Sequence, residues 1–153
     1  FSAEYVLDND RVGGSLETRE TLQVTFSDQN HGILRAIPTK YQSYSTKLKI
    51  KNVTRDGKKE KYSSYSENGN KVLKIGDPDK TITGQHTYLI EYYQERIINF
   101  GSGSPEFYWD INGTEWSQSF DNVRATIRLK SGAELISSLQ QCYVGIKLSL
   151  IHI

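Results

Sequence analysis

A chain of 153 residues with a net charge of +1 has the length of one domain, and its near-neutral charge argues against a nucleic-acid partner, for which a basic surface is expected. No apolar run approaches the ~20 residues that a membrane-spanning helix needs. The chain contains no methionine, so we expect it to be a piece of a longer protein, and its single cysteine, Cys142, excludes an internal disulfide.

The first clear element is an alternating run from residue 16 to residue 26. Apolar side chains such as Leu16, Leu22 and Phe26 fall on even positions and polar ones on odd positions. This period of two predicts a strand with one buried face. Glu20 is the exception, because it is a carboxylate on the apolar face.

The stretch HGILRAIP (residues 31–38) follows, and we interpret it as a shaped corner after that strand. Gly32 would permit the turn and Pro38 would prevent further strand pairing. An unpaired buried carboxylate is very costly, and a guanidinium can bind it through two hydrogen bonds. We therefore predict a structural ion pair between Glu20 and Arg35. His31 has no role in this corner and is a candidate ligand-binding residue.

A lysine-rich region comes next, with a strand predicted over residues 46–54 and the turn RDGK at residues 55–58. Asp-Gly between strand-like runs predicts a hairpin, whose partner strand would cover residues 59–66. ENGN at residues 67–70 predicts a second turn. The lysines are expected to solvate an outer face or protect a sheet edge, although attraction to an anionic surface is an alternative.

Alternation returns in the second half of the chain. It places Tyr88, Ile90 and Tyr92 on one face, then Trp109 with its apolar neighbours at residues 107 and 111. Residues 123–129 alternate again. Strand-like runs separated by Gly, Asn, Asp or Pro predict an all-β fold, an antiparallel β-sandwich of immunoglobulin-like or related topology. We expect one domain over residues 1–145, and a tail over residues 146–153 that is an edge strand or derived from the expression vector.

Catalytic and metal-binding patterns are weak. No serine lies in a nucleophile-elbow motif, and a lone Cys142 is more often inert packing than a nucleophile. Asp77 and Asp79 have the spacing with which a calcium loop begins, but the closing glutamate is missing. We therefore expect no catalytic residue, no metal and no cofactor.

One aromatic and acidic segment, EFYWDINGTEWSQSFD, could bind a ligand. Alternation assigns Trp109 to the core, whereas Trp116 follows a turn and is the better surface candidate, together with Glu115. Aromatic rings beside carboxylates suit a sugar-binding site. Paired carboxylates between residues 106 and 121 would suit a glycoside hydrolase instead.

Three stretches together resemble a bacterial family, the domain of unknown function 2207. They are ETLQVTFSDQNHGILRAIP, KIGDPDKTITGQHTYLIEY and EFYWDINGTEWSQSFDNVRATIRL, and the resemblance covers roughly residues 1–145. It implies the extracytoplasmic N-terminal domain of a predicted membrane protein, in which a leader precedes the domain and a membrane span follows it. It implies no catalytic residues. Lys130 departs from the family, which tends to have a proline there.

Composition, motifs and resemblance favour a non-catalytic interaction or sensory domain of a membrane-anchored parent protein. Its partner would be an unknown extracellular protein or a cell-wall component. The first alternative is a cell-wall glycan or carbohydrate-binding module, and the second is a glycoside hydrolase.

Overall fold

The computed structural model describes residues 1–9, 12–100, 105–113, 115–130 and 137–142. Apart from one short 3-10 helix, Ser137–Leu139, all of its regular elements are strands, so the all-β prediction is confirmed. The strands are β1 (Ser2–Asp8), β2 (Ser15–Asn30), β3 (Ile33–Pro38), β4 (Lys40–Tyr41), β5 (Tyr44–Ser45), β6 (Lys49–Arg55), β7 (Lys58–Lys59), β8 (Tyr62–Glu67), β9 (Asn70–Ile75), β10 (Ile82–Glu95) and β11 (Arg124–Leu129). No helix among the described residues has the length and apolarity needed to cross a membrane.

Two sheets form the body of the fold. The larger one has the order β11-β1-β2-β10-β6-β7 and the smaller one the order β3-β9-β8, while β4 and β5 pair with each other. Every pairing is antiparallel except the one between β1 and β11. The arrangement is consistent with the predicted β-sandwich. The tail predicted at residues 146–153 lies outside the described residues.

The first core cluster fills the space between the two sheets. Alternation in β2 and β10 buries Leu22, Tyr88 and Ile90, which meet Ile37 and Leu73 of the smaller sheet. Fully burying one side chain of this size contributes roughly 1.5–3 kcal/mol. The inward faces that the sequence predicts for these two long strands are therefore the ones that hold the sheets together.

The second core cluster lies where β1 and the start of β2 meet residues 105–113. Trp109 and Ile111 are buried there beside Tyr5, as their spacing predicts. The extended segment is not part of a sheet, however, because among the described residues its one strand-like contact is a bridge between Asn99 and Glu106. Its backbone is fixed instead by Tyr5, whose hydroxyl donates to the carbonyl of Ile111 at 2.6 Å.

The predicted hairpin forms, but its partner strand is split. Asp56 and Gly57 have φ values of 52° and 75° and connect β6 to β7, which is only two residues long. The chain then crosses to the smaller sheet, where β8 pairs with β9. The second predicted turn is also present, because Asn68 and Gly69 have φ values of 49° and 78° between β8 and β9. A two-residue turn with both φ values positive matches the twist of the strands it joins.

The stretch HGILRAIP contains the predicted corner only at His31 and Gly32, and its remaining residues, 33–38, form the strand β3. Only His31 and Gly32 separate β2 in the larger sheet from β3 in the smaller sheet. Arg35 lies in β3, and the ten residues after that strand, 39–48, belong to neither of the two main sheets. The physical reason is the alternation of Ile33, Arg35 and Ile37, which places their side chains towards the core.

Candidate functional site

A buried ion pair connects the two sheets. Arg35 of β3 donates through Nε and Nη2 to the two carboxylate oxygens of Glu20 of β2, at 2.8 and 2.6 Å. The hydroxyl of Tyr92 donates to Glu20 Oε1 at 2.7 Å, and Arg35 Nη1 donates to the carbonyl of Ala36 at 2.7 Å. Glu20 is completely buried and Arg35 is 2% exposed. The pair that the sequence predicts is therefore present, with a third member that the sequence did not indicate.

The electrostatics of this cluster follow from its burial. Burial lowers the pKa of Arg35, but the charge and hydrogen bonds of Glu20 more than offset this, so the net pKa is raised. Burial raises the pKa of Tyr92 far above its usual value, and the negative charge of Glu20 raises it further. Glu20 therefore faces a permanent cation and a neutral phenol, an arrangement suited to holding the sheets together.

Trp116 is partly buried and packs against this ion pair. The Arg35 guanidinium carbon lies 5.7 Å from the Trp116 ring centroid and 5.9 Å from that of Phe1. The indole N–H donates to the carbonyl of Asn112 at 2.7 Å, and Phe120 packs edge-on against the ring at 5.2 Å. With one face on Arg35 and its donor engaged, Trp116 has a packing role here, and ligand binding by Trp116 stays a prediction.

An open concavity lies on the outer face of the smaller sheet, and we call it the outer-face groove. Its floor is apolar and its rim is acidic and amide-rich. It is lined by Leu34, Ala36, Tyr65, Glu67, Asn68, Asn70, Val72 and Glu115.

Strand register explains why these side chains meet. Ala36, Val72 and Tyr65 lie side by side across β3, β9 and β8. Side chains alternate between the two faces of a sheet. Arg35 and Leu73 point to the core, so the next row, which contains Ala36, Val72 and Tyr65, points outward. Leu34 is 53% exposed and Tyr65 is 46% exposed, so the groove offers an apolar and an aromatic side chain to a ligand.

Of the three candidate ligand-binding residues, only Glu115 lines this groove. His31 is exposed at the other end of β3, where its Nδ1 lies 3.0 Å from the carbonyl oxygen of Lys80. Sequence reasoning missed Tyr65 and Leu34. Two features of the sequence could have indicated them. In GILRAIP, Leu34 alternates with the residues that face the core and therefore points outward, and the polar run KYSSYSE contains two tyrosines.

A second polar cluster lies at the turn after β6. The carboxylate of Asp56 accepts the backbone N–H of Thr87 at 2.8 Å and contacts His86 Nδ1 at 2.7 Å. His86 Nε2 lies 3.1 Å from the carbonyl oxygen of Thr83, so both ring nitrogens are engaged. The backbone bond from Thr87 lowers the pKa of Asp56 most, followed by His86. This cluster ties the turn to β10 and has no free nitrogen for catalysis.

Metal-binding chemistry has little support in the part of the chain that the structure describes. Nowhere in that part do three or more His, Cys, Asp or Glu side chains gather as potential ligands. Asp77 accepts the backbone N–H of Asp79 and contacts Lys61 Nζ at 2.9 Å, so this aspartate stabilises its own turn. Cys142 is exposed and unpaired within the described residues.

Two solved structures of M1 zinc metallopeptidases are similar to part of this chain. One is from Deinococcus radiodurans with a bound Tyr-Ser-Ala substrate; it overlaps 71% of this chain at a TM-score of 0.43 and 13% identity. The other, a two-domain enzyme bound to L-tryptophan, overlaps 69% at a TM-score of 0.42 and 15% identity. The overlaps span only 23% and 21% of those chains.

No curated protein sequence matches the chain. A family model does, over residues 4–140, and it is described as the N-terminal domain of a predicted membrane protein. Apart from the first two residues of β1, the match contains both main β-sheets, and it includes the ion pair of Glu20 and Arg35 and every residue of the outer-face groove. The chain therefore belongs to the DUF2207 family, as the three sequence motifs indicate.

Proposed function

We propose that this chain is a non-catalytic interaction or sensory domain on the extracytoplasmic side of a bacterial membrane protein, and that it binds its partner through the outer-face groove. The family description supports a membrane-associated parent. The observation that carries the proposal is the groove itself, in which exposed Leu34 and Tyr65 stand beside two carboxylates. Exposed apolar side chains that cluster inside a polar rim are typical of binding sites.

The charges of the groove indicate what it would accept. Neither Glu67 nor Glu115 forms an ion pair with any residue that the structure describes. Carboxylates accept hydrogen bonds and attract cations, and the amides of Asn68 and Asn70 can donate or accept. A ligand with hydroxyl, amine or guanidinium donors next to an apolar surface would match this lining.

A cell-wall glycan is the second candidate, and a specific feature favours it. Tyr65 supplies the exposed aromatic ring that such a site needs, in place of Trp116, and Glu115 keeps the role that the sequence gives it. A glycoside hydrolase has less support. It needs two carboxyl groups about 5–10 Å apart across a cleft. Of the acids between residues 106 and 121 that the sequence assigns to this role, only Glu115 lines the groove, and the second carboxylate there is Glu67 of β8.

Thermal-shift screening of the domain tests the proposal. The panel contains peptidoglycan fragments, neutral and amino-bearing oligosaccharides, and basic peptides. A ligand that binds only the folded state stabilises it and therefore raises the melting temperature. At a ligand concentration of a hundred times the dissociation constant, the stabilisation is about 2.7 kcal/mol. We expect the shift to disappear in Tyr65→Ala and in Glu115→Gln.

Tyr44→Ala is the matched control, since Tyr44 is 56% exposed but lies outside the groove. A ligand whose shift persists unchanged in Tyr65→Ala would show that the groove is not the binding site. Release of reducing sugar from any oligosaccharide would instead establish the hydrolase. In a full-length parent protein, alkaline phosphatase fused after the domain should be active, because this reporter folds only outside the cytoplasm.

A further inference from the structure

Among the strands that the structure describes, β8 forms an open edge of the smaller sheet. This strand pairs with β9 on one side, and β9 is its only neighbour among the described strands. All six residues from Tyr62 to Glu67 are exposed. Their register with β9 is unbroken, and the sequence YSSYSE contains no proline and no lysine. Edge strands are normally protected by such residues or by a bulge, so an unprotected edge of this length is a surface for strand addition.

The free backbone groups of this edge can be identified. The N–H of Gly76 donates to the carbonyl of Lys61 at 2.9 Å, so the backbone of Lys61 faces β9. Because hydrogen-bonding direction alternates along an antiparallel strand, the groups of residues 63, 65 and 67 also face β9. Tyr62, Ser64 and Ser66 therefore direct their N–H and C=O groups away from the sheet.

We propose that this edge pairs with β8 of a second copy of the chain, antiparallel, with Ser64 on the twofold axis. Within one sheet, residues that lie opposite each other must point to the same face. The twofold axis must therefore pass through a residue and not between two residues. With Ser64 on the axis, Ser64 pairs with itself and Tyr62 pairs with Ser66 of the second copy. All three outward-facing residues are then hydrogen bonded.

The neighbouring registers use fewer of these groups. An axis at Tyr65 would hydrogen bond Ser64 to Ser66 of the second copy and would place Tyr62 opposite Asn68. Asn68 cannot continue the ladder, because its φ of 49° belongs to the turn between β8 and β9. An axis at Ser63 would leave Ser66 without a partner. Self-pairing through Ser64 is therefore the register that satisfies this edge best.

Charge complementarity selects a second copy as the occupant. In this register Lys61 lies opposite Glu67 of the second copy, twice by symmetry, at positions where side chains approach closely. The side chain of Lys61 is 75% exposed and already forms an ion pair with Asp77 at 2.9 Å, whereas Glu67 makes no ion pair with another described residue. Each end of the paired strands would thus join Lys61 to an acid that has no ionic partner among the described residues of its own chain.

This inference goes beyond the proposed function, because it concerns assembly and not the ligand. Tyr65 would lie opposite Ser63 of the second copy on the outer face, so the two grooves would share one six-stranded surface. A multivalent ligand such as a polymer could then occupy both grooves, and linked sites gain apparent affinity without new contacts. Ligand binding by one groove does not require the dimer, so the two proposals can fail separately.

Disulfide trapping tests the register. In a Cys142→Ser background, Ser64→Cys should form a cross-linked dimer under mild oxidation, since facing strand residues lie within disulfide reach. Ser66→Cys is the matched control, because the two copies of residue 66 would be about 13 Å apart along the strands. Equal cross-linking of both variants, or none in Ser64→Cys, would overturn the proposed register.

Sedimentation equilibrium with a charge swap tests the interface. Lys61→Glu and Glu67→Lys should each weaken dimerisation about tenfold or more, because each places like charges opposite one another twice. The double variant should restore it. Circular dichroism confirms that each variant is folded. A wild type that stays monomeric at millimolar concentration, or a dimer unaffected by either single change, would refute pairing along β8.

Discussion

The backbones of Gly32 and Gly76 run so close together that neither residue has room for a side chain. A Cβ at Gly32 would overlap the carbonyl oxygen of Ile75, and a Cβ at Gly76 would overlap the carbonyl oxygen of His31. Their φ values are 133° and 137°, a conformation that other residues rarely adopt. Two of the sequence motifs, HGILRAIP and KIGDPDK, thus meet at one contact that starts β3 and ends β9.

Gly32→Ala should therefore destabilise the fold strongly. The new methyl group adds steric overlap to backbone strain, and together these cost about 2–5 kcal/mol. Urea unfolding followed by tryptophan fluorescence measures the loss. Gly57→Ala is the control, because Gly57 has a φ of 75° but no atom within 4 Å of a new Cβ. It should cost only the strain of about 1–2 kcal/mol, and an equal loss in both variants would contradict the steric explanation.

Breaking the ion pair between Glu20 and Arg35 should be costly because the remaining charge cannot be neutralised. In Glu20→Gln, Arg35 keeps its proton and stays buried without a counter-charge, which costs about 3–5 kcal/mol. Adding Arg35→Met removes the unpaired charge, so the double variant should be more stable than Glu20→Gln alone. Urea unfolding of the three proteins forms the test.

The control for this prediction is an exposed ion pair. Lys51 and Glu17 lie 3.4 Å apart with side chains 49% and 56% exposed, so Glu17→Gln should change the unfolding free energy by less than about 1 kcal/mol. If Glu20→Gln were as mild as Glu17→Gln, the buried pair would have no special role in joining the sheets.

The sequence could predict those features that depend on local alternation. The buried faces of β2 and β10, the turns at Asp56 and Asn68, and the charge of Glu20 on an apolar face all follow from neighbouring residues. Pairing between distant segments could not be predicted this way. Residues 105–113 alternate like a strand but have no ladder, because the core binds them through side chains and the hydroxyl of Tyr5.

Two further differences have specific physical causes. In β6, Glu91 pairs with Asn52 and Tyr92 with Ile50, so Lys51 is a bulge and the buried positions change from even to odd. A regular alternation cannot show such a shift. The outer-face groove combines β3, β8, β9 and Glu115, so it exists only once the sheet order is known.

The acid sensitivity of the turn after β6 should depend on Asp56. Its pKa is lowered in the folded state by the N–H of Thr87 and by His86, below the unfolded value of about 3.9. The stabilisation is therefore present above the unfolded pKa and is lost as the pH falls through the folded pKa. Between pH 5 and pH 2, Asp56→Asn should lose less stability than the wild type.

The Asp56→Asn change removes the carboxylate charge but keeps the turn, because asparagine also tolerates the φ of 52° at this position. Chemical denaturation at each pH gives the unfolding free energy of both proteins. Parallel curves for the two would mean that Asp56 does not contribute to the acid-induced loss.

Truncation of Trp116 should destabilise the fold much more than truncation of Tyr65. Trp116→Ala removes a ring that packs on Arg35 and Phe120 and should cost about 2–4 kcal/mol of stability. Tyr65→Ala removes a side chain that is 46% exposed and should change stability by less than about 1 kcal/mol. Trp116→Phe keeps most of the packing but loses the donor to Asn112, so an intermediate loss is expected. Suppose that the folded Trp116→Phe protein lost ligand binding while Tyr65→Ala still bound the ligand. The binding site would then be at Trp116 and not in the outer-face groove.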